Sequence, residues 1–408
     1  MDGELYLLRY KFYCVRMKKL TDNLLFKVII AIILGIALGL YLPEWFGRVV
    51  ATFNFLFDQL LQFIIPLIIV GLIVPSIARL GKKAGNLLLA TVAIAYGSTI
   101  FSGLSSYFIS VNIFPELLQG HIQNVTVPDE AQKLTSYFRI EFEPFFDVLS
   151  GLVFAFMIGI GLSRIEGTYL KNVAIDFEGI INFLIEKLII PLLPIFIFCI
   201  FYDMAYSGTV ATILNVFVKI IGVIFLIHIG ILVLLFVIAG AVSRQNPFRL
   251  LKGMLPAYFT ALGTQSSAAT IPVTLKQAKA IGVDEDIASF SVPLCATIHL
   301  AGSTLKIVAC VVALMLMQGM SIDFLQMTGF IFMLGIAMIA APGVPGGAIM
   351  AAIGIIASML GFDSENQALM IALYIAMDSF GTACNVTGDG AIAVILDTLF
   401  KKREKGLI

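Results

Sequence analysis

Runs of roughly twenty or more apolar residues follow one another along this chain, at about 22–43, 50–78, 84–112, 145–163, 180–206, 210–242, 287–317 and 366–399. A helix rises about 1.5 Å per residue, so about 20 apolar residues cross the hydrocarbon core of a bilayer. Alternating polarity is absent, and in lipid every backbone polar group needs an internal partner. The spans are therefore expected to be helices, and the class an all-α, multi-pass membrane protein. Composition agrees. Of 408 residues, 60% are hydrophobic and 13% charged, against roughly 25% charged in an average soluble domain. Too few polar residues exist to cover a water-facing surface. That excludes a soluble enzyme, a nucleic-acid binder and a disordered scaffold. The five cysteines show no metal-ligand spacing, and their odd number forbids complete pairing. Four lie in apolar stretches and read as small buried hydrophobes.

The formal net charge is zero, with 26 basic and 26 acidic residues. Their placement is uneven. Arg9, Lys11, Arg16, Lys18 and Lys19 break up the first twenty residues, which read as a basic cytoplasmic lead (1–21) and not as a signal peptide. Further basic groups stand in RLGKKAG (79–85), around Arg164 and Lys171, in SRQNPFRLLK (243–252) and in KKREK (401–405). The long segment 113–144 carries Glu116, Asp129, Glu130, Glu141 and Glu143 against Lys133 and Arg139. The positive-inside rule then puts both termini in the cytoplasm and 113–144 outside, if the eight runs are the only full crossings.

Two further apolar regions, 248–276 and 324–360, have small and helix-breaking residues at their centres: GTQSSAATIP (263–272) and AAPGVPGGA (340–348). Pro and Gly at mid-depth fit a re-entrant helical hairpin whose tip is buried in protein or wet. The expected fold is eight transmembrane helices plus two re-entrant helical hairpins. A pair of interrupted segments is the best sequence pointer to a transporter's binding site. Ser266 and Ser267 at the first tip present hydroxyls and backbone N–H groups, and a half-helix N-terminus is a natural carboxylate site. Gly343, Pro345, Gly346 and Gly347 at the second tip form a loop able to open and close.

Ionisable residues inside a span are expensive and mark function. In the last run, Asp378, Thr382, Asn385 and Asp389 are spaced 4, 3 and 4. They share one helical face. Two carboxylates and an amide there make a hard-oxygen site for a cation or an ammonium group. The seventh run is interrupted by Thr297, His299, Gly302, Ser303, Thr304 and Lys306, polar enough to unwind and expose carbonyls. Histidine changes charge nearest physiological pH, so His299 is a candidate proton carrier; a neutral ring satisfied by a hydroxyl or carbonyl is the competing reading. Lys306 pairs with an aspartate or an anionic solute, or else faces a wet cavity.

Four strings, QSSAATIPVT (265–274), ATIHLAGST (296–304), APGVPGGAIM (341–350) and DSFGTACNVTGD (378–389), resemble in this order the dicarboxylate/amino acid:cation symporter family, with its glutamate-transporter-like fold. The span pattern is similar over nearly the whole chain. The resemblance implies a homotrimer in the lipid bilayer. Each protomer has a scaffold (22–78 and 145–206) and a mobile transport unit (79–112 and 207–400), which carries solute across by an elevator movement. It implies a prokaryotic plasma membrane location, no enzymatic cofactor, no nucleic-acid partner, and co-transport of Na+ or H+ with a small-molecule substrate. By motif position, Ser267 and Asn385 hold a substrate carboxylate, Asp378 holds an amino group, and Ser303 and Thr382 line the pocket. Ser266, Gly343 and Val344 complete it from the tips. Asp389 and Asn385 belong to a sodium site.

The departures are informative. Relatives that take acidic amino acids carry an arginine where this chain has Gly381, so a side-chain carboxylate has lost its usual partner. Lys306 and Gln265 are the alternatives for that counter-charge. The usual NMDGT reads HLAGS (299–303), with His299 for the asparagine and Ala301 for the aspartate. A deeper sodium site thereby loses its anionic ligand, although Tyr96, Thr99 and Thr297 remain as candidate ligands. A carboxylate lost and an imidazole gained points to exchange of sodium for proton coupling. The expected function is secondary active symport of an amino acid or C4-dicarboxylate; an uncoupled facilitator of the same fold is the alternative. An enzyme is disfavoured, because no GxSxG or HExxH motif is present.

Overall fold

The computed structural model describes residues 24–79, 86–118, 134–145, 147–208, 210–343 and 345–404. The basic lead 1–21, most of RLGKKAG, part of 113–144 and the end of the tail lie outside the described residues. Among the described residues the protein is all-helical.

Helix α1 (Leu24–Tyr41) stops just ahead of Pro43, because the residue before a proline avoids the helical region. Helices α2 (Glu44–Arg79) and α3 (Asn86–Leu117) follow, then α4 (Val148–Arg164), whose N-cap Asp147 accepts the Ser150 N–H at 2.8 Å. Helix α5 (Tyr169–Leu184) passes through one π turn, Ile185–Ile189, into α6 (Ile190–Tyr206). Pro191 and Pro194 explain the widening: a proline ring cannot donate to the residue four back and clashes with its carbonyl. The sequence pattern starts this span near 180. The structure starts it at Tyr169, since Lys171, Asp176 and Glu178 depress the hydropathy of a stretch that is helical all the same.

Helix α7 (Val210–Ser243) leads into α8 (Pro247–Thr264) and α9 (Ser267–Ala280), which pack on one another across a two-residue joint. Helix α10 (Glu285–Ile298) is separated from α11 (Ala301–Met317) by His299 and Leu300. Helices α12 (Phe324–Ala340) and α13 (Gly347–Leu360) form a second packed pair. Helix α14 (Ser364–Ala376) breaks at Met377 before α15 (Asp378–Glu404).

Among the described residues six helical stretches are long and apolar enough to cross a bilayer: Glu44–Pro75, Asn86–Leu117, Tyr169–Tyr206, Leu214–Ser243, Glu285–Met317 and Asp378–Phe400. Two further expected spans, α1 and α4, are 18 and 17 residues long. The most apolar window of Glu285–Met317 is 94% buried, which makes α11 the axis of the molecule. Helices α3, α7, α12, α14 and α15 surround it. Outward-facing side chains such as Ile33, Leu40, Val153, Met157, Val218 and Leu226 are exposed, as a lipid-facing surface requires.

Helices α1 and α6 approach most closely at glycines four apart. A Cβ on Gly35 would stand 2.6 Å from the Phe198 carbonyl oxygen, and one on Gly39 2.5 Å from that of Tyr202. Small residues at this spacing let two helix backbones pack without side chains between them. Gly39→Val should cost about 1–3 kcal/mol through overpacking against backbone that cannot yield. A lowered denaturation midpoint in detergent checks it. Gly161→Ala, where an added Cβ meets nothing within 4 Å, should leave the midpoint unchanged or slightly raised.

Candidate functional site

The break between α10 and α11 organises the site. His299 has φ −105° and ψ 99°, and Leu300 φ −121° and ψ 42°, so α11 starts afresh with its first N–H groups unbonded within the helix. Leu300 has no side chain able to cap them. Asn385, on α15, does so from outside. Its Oδ1 accepts the Gly302 N–H at 2.7 Å and the Ser303 N–H at 3.3 Å. Its Nδ2 donates to Ser303 Oγ at 3.0 Å, and the Tyr374 hydroxyl donates to the same oxygen at 3.1 Å. Gly302 is required at this crossing, because a Cβ there would lie 2.6 Å from the Gly381 carbonyl oxygen.

His299, at the break itself, is 1% exposed. Its Nδ1 lies 2.9 Å from Asp389 Oδ1, and its Nε2 lies 3.0 Å from Ser98 Oγ on α3. A hydroxyl both donates and accepts, so Ser98 suits the ring in either charge state: it donates to a neutral Nε2 and accepts from a protonated one. The second oxygen of Asp389 is buried and has no hydrogen-bond partner. A buried carboxylate oxygen without a donor is costly, and a proton or a small cation relieves it. The thiols of Cys295 and Cys384 also lie within electrostatic reach of Asp389.

Lys306 lies two turns further along α11 and is fully buried. Its Nζ donates to Asp378 Oδ1 at 3.2 Å and to the Met377 carbonyl at 3.4 Å, and stands 3.5 Å from the centre of the Tyr374 ring. That carbonyl also accepts the Gly381 N–H at 3.1 Å, so it is shared between α15 and the lysine. Gly381 leaves room for the lysine: a Cβ there would come within 2.5 Å of Nζ. Of the readings its sequence position left open for Lys306, the structure shows the pairing with an aspartate. Gln265 ends α8 in the left-handed region (φ 53°) and is buried.

The two tips meet each other and the aspartate. Ser266 caps α9 and donates its hydroxyl to the Gly343 carbonyl at 2.9 Å. Gly346, at φ 76°, turns its N–H onto Asp378 Oδ2 at 2.8 Å. Both carboxylate oxygens of Asp378 are therefore taken, one by α11 and one by the second tip.

The structure brings together Ser303, Lys306, Asp378 and Asn385 as one cluster, and His299 with Asp389 as another. Thr382 is buried and donates to the Asp378 backbone carbonyl at 3.0 Å. Ser267 is buried at the start of α9. Of the remaining candidate cation ligands, Tyr96 donates to the Phe332 carbonyl at 3.2 Å, Thr99 to Ala95 at 2.9 Å and Thr297 to Leu294 at 2.8 Å. Val344 lies outside the described residues. A cavity of about 620 Å³ adjoins Thr297, Pro342, Gly343, Glu178 and Asn182. Asp378 and Asn385 do not line it.

Sequence reasoning missed three participants. Ser98 stands between the noted Tyr96 and Thr99. Tyr374 precedes Asp378 by one helical turn. His228 is a histidine inside the apolar run of α7; it is 4% exposed, lies within electrostatic reach of Lys306, and its Nε2 has no hydrogen-bond partner.

Residues 24–399 match the model of the sodium:dicarboxylate symporter family. The chain is 28% identical over 394 residues to the serine/threonine transporter SstT of Acinetobacter baumannii, covering 92% of this chain and 96% of that protein. It is 27% identical over 390 residues to SstT of Enterococcus faecalis (90% and 89%). To human excitatory amino acid transporter 2 it is 28% identical over 287 residues, 68% of this chain but only 49% of that protein. The chain thus spans about half the length of that human relative.

The cap supplied by Asn385 yields a prediction. Asn385→Ala strands the N–H groups of Gly302 and Ser303, at about 1–3 kcal/mol for each buried donor left unmade. Thr382→Ala loses one bond within its own helix and should cost about 1 kcal/mol. Thermal denaturation in detergent should show the first variant's midpoint well below the second's.

Proposed function

The chain belongs to the sodium:dicarboxylate symporter family, and from that membership and the site geometry we propose a secondary active symporter of a small carboxylate-bearing solute, an amino acid or C4-dicarboxylate, driven by protons. The family and the relatives are transporters and not enzymes. The Ser98–His299–Asp389 line is the observation that carries proton coupling. A histidine with a hydroxyl on one nitrogen and a buried carboxylate on the other is held in place in both protonation states. The same ring occupies the position at which the family motif supplies an asparagine. Uptake of one proton neutralises Asp389 or charges His299, and either change alters the balance of charge that the moving part carries through the bilayer.

Packing supports a division into scaffold and transport unit. Helix α1 packs on α6, and α2 on α4 and α5. The third helix packs on α11, while α7, α8, α9, α10 and α15 pack on one another. The proposed architecture is eight spans with α8–α9 and α12–α13 as re-entrant hairpins. Three such protomers form a trimer, in a prokaryotic plasma membrane with both termini cytoplasmic. The second hairpin is the gate, closed here through Gly346 on Asp378 and Gly343 on Ser266. Solute enters when those contacts open, and the transport unit then moves past the scaffold.

Uptake into proteoliposomes under imposed gradients tests the coupling. An acidic exterior without sodium should drive accumulation above the external concentration, and His299→Gln should equilibrate solute without accumulating it. A strict sodium requirement with no response to the proton gradient would sink proton coupling. Equilibration alone in the wild type would identify a facilitator.

A further inference from the structure

Lys306 is fully buried, and each of its partners is a protein group: Asp378 Oδ1, the Met377 carbonyl and the face of Tyr374. A lone buried carboxylate such as Asp378 is the natural seat for a solute's ammonium group, because nothing else nearby is anionic enough to replace its water. Here that seat is occupied by an ammonium carried on the chain. The other oxygen of Asp378 accepts the Gly346 N–H of the second tip. The aspartate is thus neutralised and hydrogen-bonded without any solute.

Gly381 makes this arrangement possible. A Cβ at that position would come 2.5 Å from Lys306 Nζ and 2.8 Å from Cε, so a larger residue at 381 and a lysine seated on Asp378 exclude each other. The side chain of Lys306 fills the volume that residue 381 leaves. Its ammonium is not offered to a solute anion either, since its donors already point at the carboxylate, the carbonyl and the ring.

Building on the transport function proposed above, we propose that Lys306, seated in the space left by Gly381, is a specificity-determining residue that withdraws Asp378 from the solute site. The site then selects carboxylate-bearing solutes that lack an amine. An incoming ammonium must evict a tethered ammonium from a buried carboxylate, and among the described residues no second carboxylate pairs with Lys306. A solute with no amine leaves the pair intact. Lys306 is a positioning residue in this scheme: it acts through Asp378 and touches no solute.

Matched pairs that differ only in the amine test it. Proteoliposome uptake is measured for succinate against L-aspartate, glutarate against L-glutamate and 3-hydroxypropionate against L-serine. In wild type the amine-free member of the best-transported pair should be favoured by at least about tenfold. Lys306→Met exposes a bare Asp378 carboxylate, which repels the anion and attracts the ammonium, so the ratio should fall by about tenfold or more or reverse. Gly381→Ala pushes the flexible end of the lysine away with little strain on the backbone and should move the ratio the same way by a smaller factor. A purely structural role for Lys306 predicts loss of both members together with the ratio unchanged, and that outcome overturns the inference. A wild-type preference for the amine-bearing member also overturns it, while leaving the transport function standing. If Lys306→Met fails to fold, as judged by its gel-filtration profile, an unchanged ratio in Gly381→Ala is sufficient to overturn it. Uptake of neither member of any pair removes the proposed transport function, and the role of Lys306 falls with it.

Discussion

A lysine with no exposed surface, within a bundle that spans a bilayer, constrains everything around it. Its charge must be met by a carboxylate, and its remaining donors by carbonyls or a π face, because the desolvation cost of an unpaired buried ion is several kcal/mol. The protein meets this by setting beside the ammonium the Met377 carbonyl, which also accepts the Gly381 N–H, and by starting α15 at Asp378. It stacks Tyr374 under the ammonium and leaves residue 381 as glycine. Four features of the local chain thus answer one buried charge.

The same rule of internal satisfaction governs the other break. Opening the chain at His299–Leu300 leaves backbone donors in a place without water, and Asn385 from a different helix accepts them. That cap ties α15 to α11. The Gly346–Asp378 bond ties the second tip to α15, and the Ser266–Gly343 bond ties the tips together. Interruptions that look like weaknesses in a sequence become the joints of the molecule. Each joint holds by a few hydrogen bonds between groups that come from different elements of the fold.

Much of this was legible in the sequence. Pro and Gly at the centres of two apolar runs located both tips. The polar run around His299 located the break, and the 4, 3, 4 spacing placed Asp378, Thr382, Asn385 and Asp389 on one helix. Partners across elements were less legible. Ser98 meets His299 from a helix some two hundred positions earlier, and Tyr374 supplies both a ring and a hydroxyl from the far side of a break. The early start of α5 was hidden because hydropathy weighs Lys171, Asp176 and Glu178 against a span, although charged groups at a helix end do not prevent helix formation.

By itself the sequence determined the all-helical membrane class, the places where polar, Gly and Pro residues interrupt the apolar runs, and the set of polar residues that the bilayer interior must accommodate. Those follow from local periodicity and from the cost of polar groups in hydrocarbon, which any window of the chain reveals. Only the tertiary structure decided the pairing: Lys306 with Asp378, His299 with Asp389 and Ser98, Asn385 with the start of α11. Pairing depends on which helices become neighbours and how closely they approach. That approach is set by glycines such as Gly302 and Gly381, whose significance is invisible until the opposite surface is known.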